Sequence, residues 1–226
     1  MMAADTSFLR TDAERSRFVA ERWQAYDAES RANMLRIIAV GAFYLVHLWS
    51  YFSAQGKVPN FGFFQIADAG EIGKQCHIEI TLLAVAWSML ALGVLLALQQ
   101  RIFPIWLPYC TTACDIVLLT VVLCISSGPR SPLIAGYYLI LVLAALRLSL
   151  QLVRFATVAS ALAYLVLLGC GKWLPFAVAL RDQQRVPRYH QVIVLVAIVL
   201  AGVMLGQIIR TVWRMIDDSS HPNESL

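Results

Sequence analysis

Charge is what this chain has least of: 14% of its 226 residues are charged and 59% are apolar. A soluble domain carries about 25% charged residues, and the mean hydropathy here is +0.67. The charges are missing in blocks, with none from Ile37 to Gly56, from Ile80 to Gln100 or from Gln191 to Ile209. A helix that crosses about 30 Å of hydrocarbon needs about 20 such residues. The strict alternation of apolar and polar residues that marks barrel strands is also lacking. Peptide groups in hydrocarbon must be hydrogen-bonded within the protein, so the runs are read as helices.

Other absences narrow the function. Met1–Arg36 has charges of both signs and no apolar core or cleavage pattern, so no secretory signal is expected and the mature chain is read as starting near Met1. There is no CxxC pair. Cys110 and Cys114 share a helix face without a nearby histidine, and read as small apolar residues. No nucleophile-and-base pair or acid cluster stands out, so the chain is not expected to be an enzyme. A net charge of +4 bears on membrane topology and does not point to nucleic acid as a partner.

What is present is an all-α pattern: a polytopic bundle of about six transmembrane helices behind an amphipathic N-terminal helix. The N-terminal region, 1–33, opens on Thr11 and Glu14 in capping-box spacing and mixes Phe18, Trp23 and Tyr26 with arginines, as suits a helix at the headgroup level or entering the first span, or a solvated helix packed on a partner or on loops. The transmembrane domain, 34–210, divides into spans at 34–54, 77–98, 103–125, 132–149, 152–171 and 190–210, and a short polar tail, 211–226, follows. Glycines and prolines between Gln55 and Gln75 predict a turn-rich loop with a short interfacial helix at Phe61–Ile72. Pro132 suits the first turn of the fourth span. With the N-terminus inside, eleven of the 18 Lys and Arg residues fall on the inner side. That bias predicts both termini in the cytoplasm of a bacterial cell and the helices in its cytoplasmic membrane.

A few polar residues fall within or beside the apolar spans. Asp115, mid-span, costs on the order of 3 kcal/mol if charged and exposed to lipid, so it is expected to face the bundle. It serves either as a relay or charge switch or as a hydrogen-bonding partner to another helix, and a lone acid favours the latter. Arg147, with Arg154, is expected to reach back to the inner surface. His47, His77 and His190 share the outer depth, with Glu79 beside His77. They form a candidate haem or metal set if they converge, although histidines at span ends also serve simply as boundary residues. Cys76, Cys124 and Cys170 lie towards the same side, and spacing does not choose a disulfide among them. Gly202 and Gly206 form a GxxxG face suited to helix packing, internal or with another protein.

The run Asp115–Thr120, the turn Ser127–Leu133, Tyr137-Tyr138 and Ala144–Ser149 resemble the six-helix membrane modules that precede bacterial class III nucleotide cyclase domains and some sensor histidine kinases. The resemblance spans about Asp115–Tyr164. It implies a unit with both ends inside whose last helix passes a signal to a cytosolic output domain. About sixteen residues follow the sixth span here. They hold no metal-binding aspartates, phosphoacceptor histidine or Gly-rich nucleotide loop.

The resulting expectation is a non-enzymatic membrane protein acting through helix–helix contacts, as a sensor-like regulatory module or an accessory subunit. Its partners would be the lipid bilayer and another membrane or cytosolic protein, or a second copy of itself. No cofactor is expected on that reading. The alternative is a redox subunit that binds haem b or quinone through His47 and the outer histidines. A small transporter comes third, because the two halves show no internal repeat.

Overall fold

The structure, a computed structural model, describes residues 3–57, 74–100, 104, 106–126, 128–173 and 187–220. All regular structure among them is helical. The helices are α1 (Ala3–Ala54), α2 (Lys74–Gln99), α3 (Leu107–Ile125), α4 (Ala135–Ala145), α5 (Leu150–Trp173) and α6 (Arg188–Ser220). Five contain stretches long and apolar enough to cross a membrane: Tyr26–Ala54, Lys74–Gln99, Leu107–Ile125, Leu150–Cys170 and Arg188–Ile216. The chain is thus a helical integral membrane protein with five full-length apolar helices and one short one.

The first helix enters the first span without a break. It is continuous over 52 residues, with no element boundary between 33 and 34 and none at Thr11. No glycine or proline occurs before Gly41, so nothing interrupts the helix between its charged and apolar portions. At 1.5 Å per residue it is about 78 Å long, more than twice the hydrocarbon thickness. The last helix likewise runs past 210 to Ser220, because no breaker lies between Gly206 and Pro222. The loop helix expected at Phe61–Ile72 lies outside the described residues.

The fourth helix is shorter than the span 132–149. Ser131 caps a 3-10 turn, Pro132–Ile134, by accepting a hydrogen bond from the Leu133 amide, and α4 proper stops at Ala145. Leu148 ends it by taking a left-handed conformation, φ +50°. The Trp213 indole of α6 donates to the Leu148 carbonyl at 3.2 Å, fixing this corner.

Helices α3–α6 form the core. Leu123, Tyr137, Leu141, Ala144, Leu152, Ala156, Tyr164 and Ile198 are almost wholly buried among them. Two glycines set how closely the helices approach. A Cβ on Gly136 would stand 2.9 Å from Leu119 of α3, and one on Gly202 would overlap Thr157 of α5. Gly206 faces Leu150, so the GxxxG face packs internally, against α5. Helix α1 is placed differently. It packs along α2 and meets α4 only sparsely, so it flanks the core rather than joining it. Most of its apolar side chains, such as Ile37, Ile38 and Leu45, face outward as lipid-contacting residues do.

A left-handed backbone costs a leucine roughly 1–2 kcal/mol that a glycine does not incur. Leu148→Gly should therefore leave the thermal unfolding midpoint in detergent unchanged or raised. The same change at Leu146, which is comparably exposed but right-handed (φ −58°), should lower it by about 1 kcal/mol.

Candidate functional site

Three buried polar residues of α1 lie on one stripe. Glu29, Asn33 and Arg36 are spaced four and three apart, within an arc of about 60° on an α-helix. Val40, Phe43 and His47 continue the same alternation of threes and fours. This stripe faces the rest of the protein, and each of its ends is tied down.

At mid-membrane depth Asp115 is not alone. Arg36 Nε donates to its Oδ1 and Oδ2 at 2.9 and 3.0 Å, and Nη2 donates to Oδ2 at 2.8 Å. The Trp87 indole of α2 donates to Oδ1 at 2.8 Å, so each carboxylate oxygen accepts two bonds. The side chains of Arg36 and Asp115 are 2% and 4% exposed. Arg36 Nη1 also donates to Asn33 Oδ1 at 2.8 Å, and Asn33 Nδ2 donates to the Ala91 carbonyl of α2 at 3.0 Å. The cost of burying the aspartate is met by a two-pronged guanidinium contact and a third donor, the arrangement in which a buried pair holds together.

A second pair with reversed polarity lies two turns nearer the N-terminus of α1. Arg147, at the end of α4, places Nη2 2.7 Å from Glu29 Oε1 and Nε 2.7 Å from Oε2. Its remaining contacts go to α3: Nη1 donates to Thr112 Oγ1 at 2.8 Å and Nη2 to Thr111 Oγ1 at 3.2 Å. Both threonine hydroxyls also donate to the Pro108 carbonyl, at 2.7 and 3.1 Å. A proline in the first turn thereby orients the hydroxyls that hold the arginine. The Arg147 side chain is 6% exposed. It turns inward because Glu29 is there to receive it.

At the other end of the stripe His47 and His77 do converge. His47 Nε2 lies 3.1 Å from His77 Nδ1, one ring donating to the other. Tyr51 stacks on His77 with ring centres 3.9 Å apart, and Tyr44 shares a 3.3 Å hydrogen bond with Thr81. Glu79 and His190 stay apart from them. Glu79 accepts from Gln75 on its own helix at 3.1 Å, and His190 is exposed in the first turn of α6. Among the described residues no three His, Cys, Asp or Glu side chains gather as metal ligands would. Two histidines that ligate one haem iron stand on opposite faces of the macrocycle, about 4 Å apart. Here the two imidazoles close on each other instead. The cysteines, including Cys76, Cys124 and Cys170, are free thiols.

Between the two ends lies a cleft of about 110 Å³, formed by α1 and α2 on one side and α3 and α4 on the other. Val40, Phe43, Ala84, Leu119, Gly136 and Leu143 give it apolar walls. Arg36, Trp87 and Asp115 lie at one end, and Tyr44 and His47 at the other. About 16 Å of helix separates Arg36 from His47. Such a cleft admits an elongated apolar molecule with a hydrogen-bonding head.

Sequence reasoning singled out Asp115 and Arg147 but missed their partners Glu29 and Arg36, along with Asn33, Trp87 and the two threonines. Arg36 sits one residue before an uncharged run and was counted only as an inner-side charge. The signal that marks it is the three-and-four spacing from Glu29 to His47. No family model, curated protein or solved structure matches this chain.

Removing one member of the buried pair strands the other. Arg36→Met and Asp115→Leu alone should each destabilise the protein by about 3–5 kcal/mol, and the double variant by clearly less than the sum. Unfolding midpoints of all four proteins in one detergent measure this coupling, and strict additivity would refute it.

Proposed function

We propose that this chain is a non-enzymatic membrane module in which α1 is the moving part and the cleft beside it is the ligand site. One observation carries the reading. Helix α1 is joined to the α3–α6 core chiefly by two ion pairs at one end of an apolar cleft, rather than by a packed apolar surface. Ion pairs of opposite polarity on one stripe define a register. Turning or sliding α1 by one residue would break both, so α1 has discrete positions rather than a continuum, which is what a switch requires. An apolar ligand that enters the cleft acts on that equilibrium if it fits one position better than the other. The part of α1 before Tyr26 then carries the change out of the membrane.

On this reading the resemblance to bacterial signalling modules is functional. The chain is a sensor-like unit or accessory subunit of a bacterial cytoplasmic membrane complex, with both termini inside, and it passes its state to a partner protein or a second copy. A quinone-binding redox subunit is the second reading, favoured by the His47 imidazole at one end of the cleft.

Purification of the full chain in mild detergent should yield a second protein, or a second copy, at fixed stoichiometry. Ala84→Phe, which fills the cleft, should shift the distance between spin labels at Arg31 and Arg214 by several ångströms. A solitary monomer whose label distance ignores the substitution defeats the proposal. An absorption spectrum and an organic extract of the same preparation decide the redox reading, through a Soret band or a recovered quinone.

A further inference from the structure

The geometry points to a second binding site, on the opposite side of the bundle, for an anionic glycerophospholipid held between Arg154 and Arg210. The inference rests on the membrane reading of the chain and not on the cleft beside α1.

Helices α5 and α6 run antiparallel, Thr157 facing Gly202 and Leu150 facing Gly206. Along this seam they leave a groove of about 210 Å³. Two arginines line it, Arg154 from the first turns of α5 and Arg210 from α6, together with Gln207, and no acidic residue does. Both arginines are exposed, and neither has a hydrogen-bond or ion-pair partner among the described residues. This contrasts with Arg36 and Arg147, each of which is neutralised by a carboxylate.

The direction of the side chains matters. Each Cα–Cβ bond tilts towards the N-terminus of its own helix. In an antiparallel pair, Arg154 therefore leans towards the membrane surface at which α5 begins, and Arg210, on the helix arriving at that surface, leans back into the membrane. The two guanidinium groups approach one another from opposite sides of the headgroup level. A phosphodiester placed there takes hydrogen bonds from both, and guanidinium forks match phosphate oxygens in pairs. Basic pockets between membrane helices at the cytoplasmic surface suit acidic headgroups, and the positive-inside bias puts this end of the bundle at that surface.

The rest of the groove suits an acyl chain. Val158 and Val203, both exposed, form its outward-facing apolar rims. A second copy of the chain is the poorer occupant. The two glycines are already covered by Thr157 and Leu150, and two such faces would oppose arginine to arginine.

The test uses the purified full chain and two lipids with identical acyl chains, phosphatidylglycerol and phosphatidylcholine. Native mass spectrometry should retain one phosphatidylglycerol per chain, with at least tenfold preference over phosphatidylcholine. Arg154→Gln/Arg210→Gln should abolish that preference, and Arg188→Gln, at the far end of α6, should leave it intact. The double variant's melting temperature in phosphatidylcholine should match that of the parent, which separates loss of the site from loss of the fold. The proposal is overturned if the two lipids bind equally, if the double variant retains the preference, or if glycerophosphate without acyl chains competes as well as the lipid. A dimer that forms through this face and excludes phosphatidylglycerol also overturns it.

Discussion

The arrangement of this protein depends on two arginine–carboxylate pairs that point in opposite directions. Helix α1 contributes an acid to one and a base to the other, and receives Arg147 and Asp115 in return. In hydrocarbon no hydrophobic force drives helices together, since lipid tails are as apolar as leucine. A helix that flanks a core, as α1 does, needs a directional attachment. The buried pairs supply it, and their reversed order along the helix also specifies which way round and at what height α1 docks. Neutrality follows as well: each of these four charges has its opposite within 2.8 Å.

The same pairs explain why a cleft persists. Guanidinium groups reach across a gap that leucines and valines would otherwise close by drawing the backbones together. Trp87 reaches Asp115 from α2 and Asn33 ties α1 to α2, so the polar groups form a strut across three helices. Beyond it, towards His47, the cleft has apolar walls. In the α3–α6 core, glycines at 136 and 202 achieve the opposite, allowing close approach where contact is the purpose. Strut and seam are two answers to one problem, and the chain uses each on a different side.

Much of this was legible in the sequence, and the reason is physical. Charge-free runs have one explanation in a bilayer, so α2, α3 and α5 lie within a few residues of where hydropathy puts them, and α6 begins there. Where reasoning fell short, the cause was local. An amphipathic helix and a span at 33/34 differ in composition but not in backbone preference, so they run together as one helix. Span four lost its last turn to Leu148, a residue type that gives no warning of a left-handed bend. Asp115 announced itself because an acid in mid-span is costly. Arg36 did not, because an arginine at the edge of a span ordinarily reaches water, and only its partner's position shows that this one turns inward. The convergence of His47 with His77, and the separation of His190 from both, depended on which helices are neighbours. Depth along the membrane normal carries no such information.

The short fourth helix has a bearing on the membrane itself. With its 3-10 turn, the segment Pro132–Ala145 rises only about 22 Å, against about 30 Å of hydrocarbon. Neighbouring α2, α5 and α6 are long enough to span fully, so the deficit is confined to one flank of the molecule. Lipids that meet the segment's exposed face would have to shorten or tilt to match it. This flank carries Gly136, Ile140 and Leu143, which wall the cleft. Membrane thickness, a property of the whole lipid mixture, would therefore bear on the helix that walls the cleft.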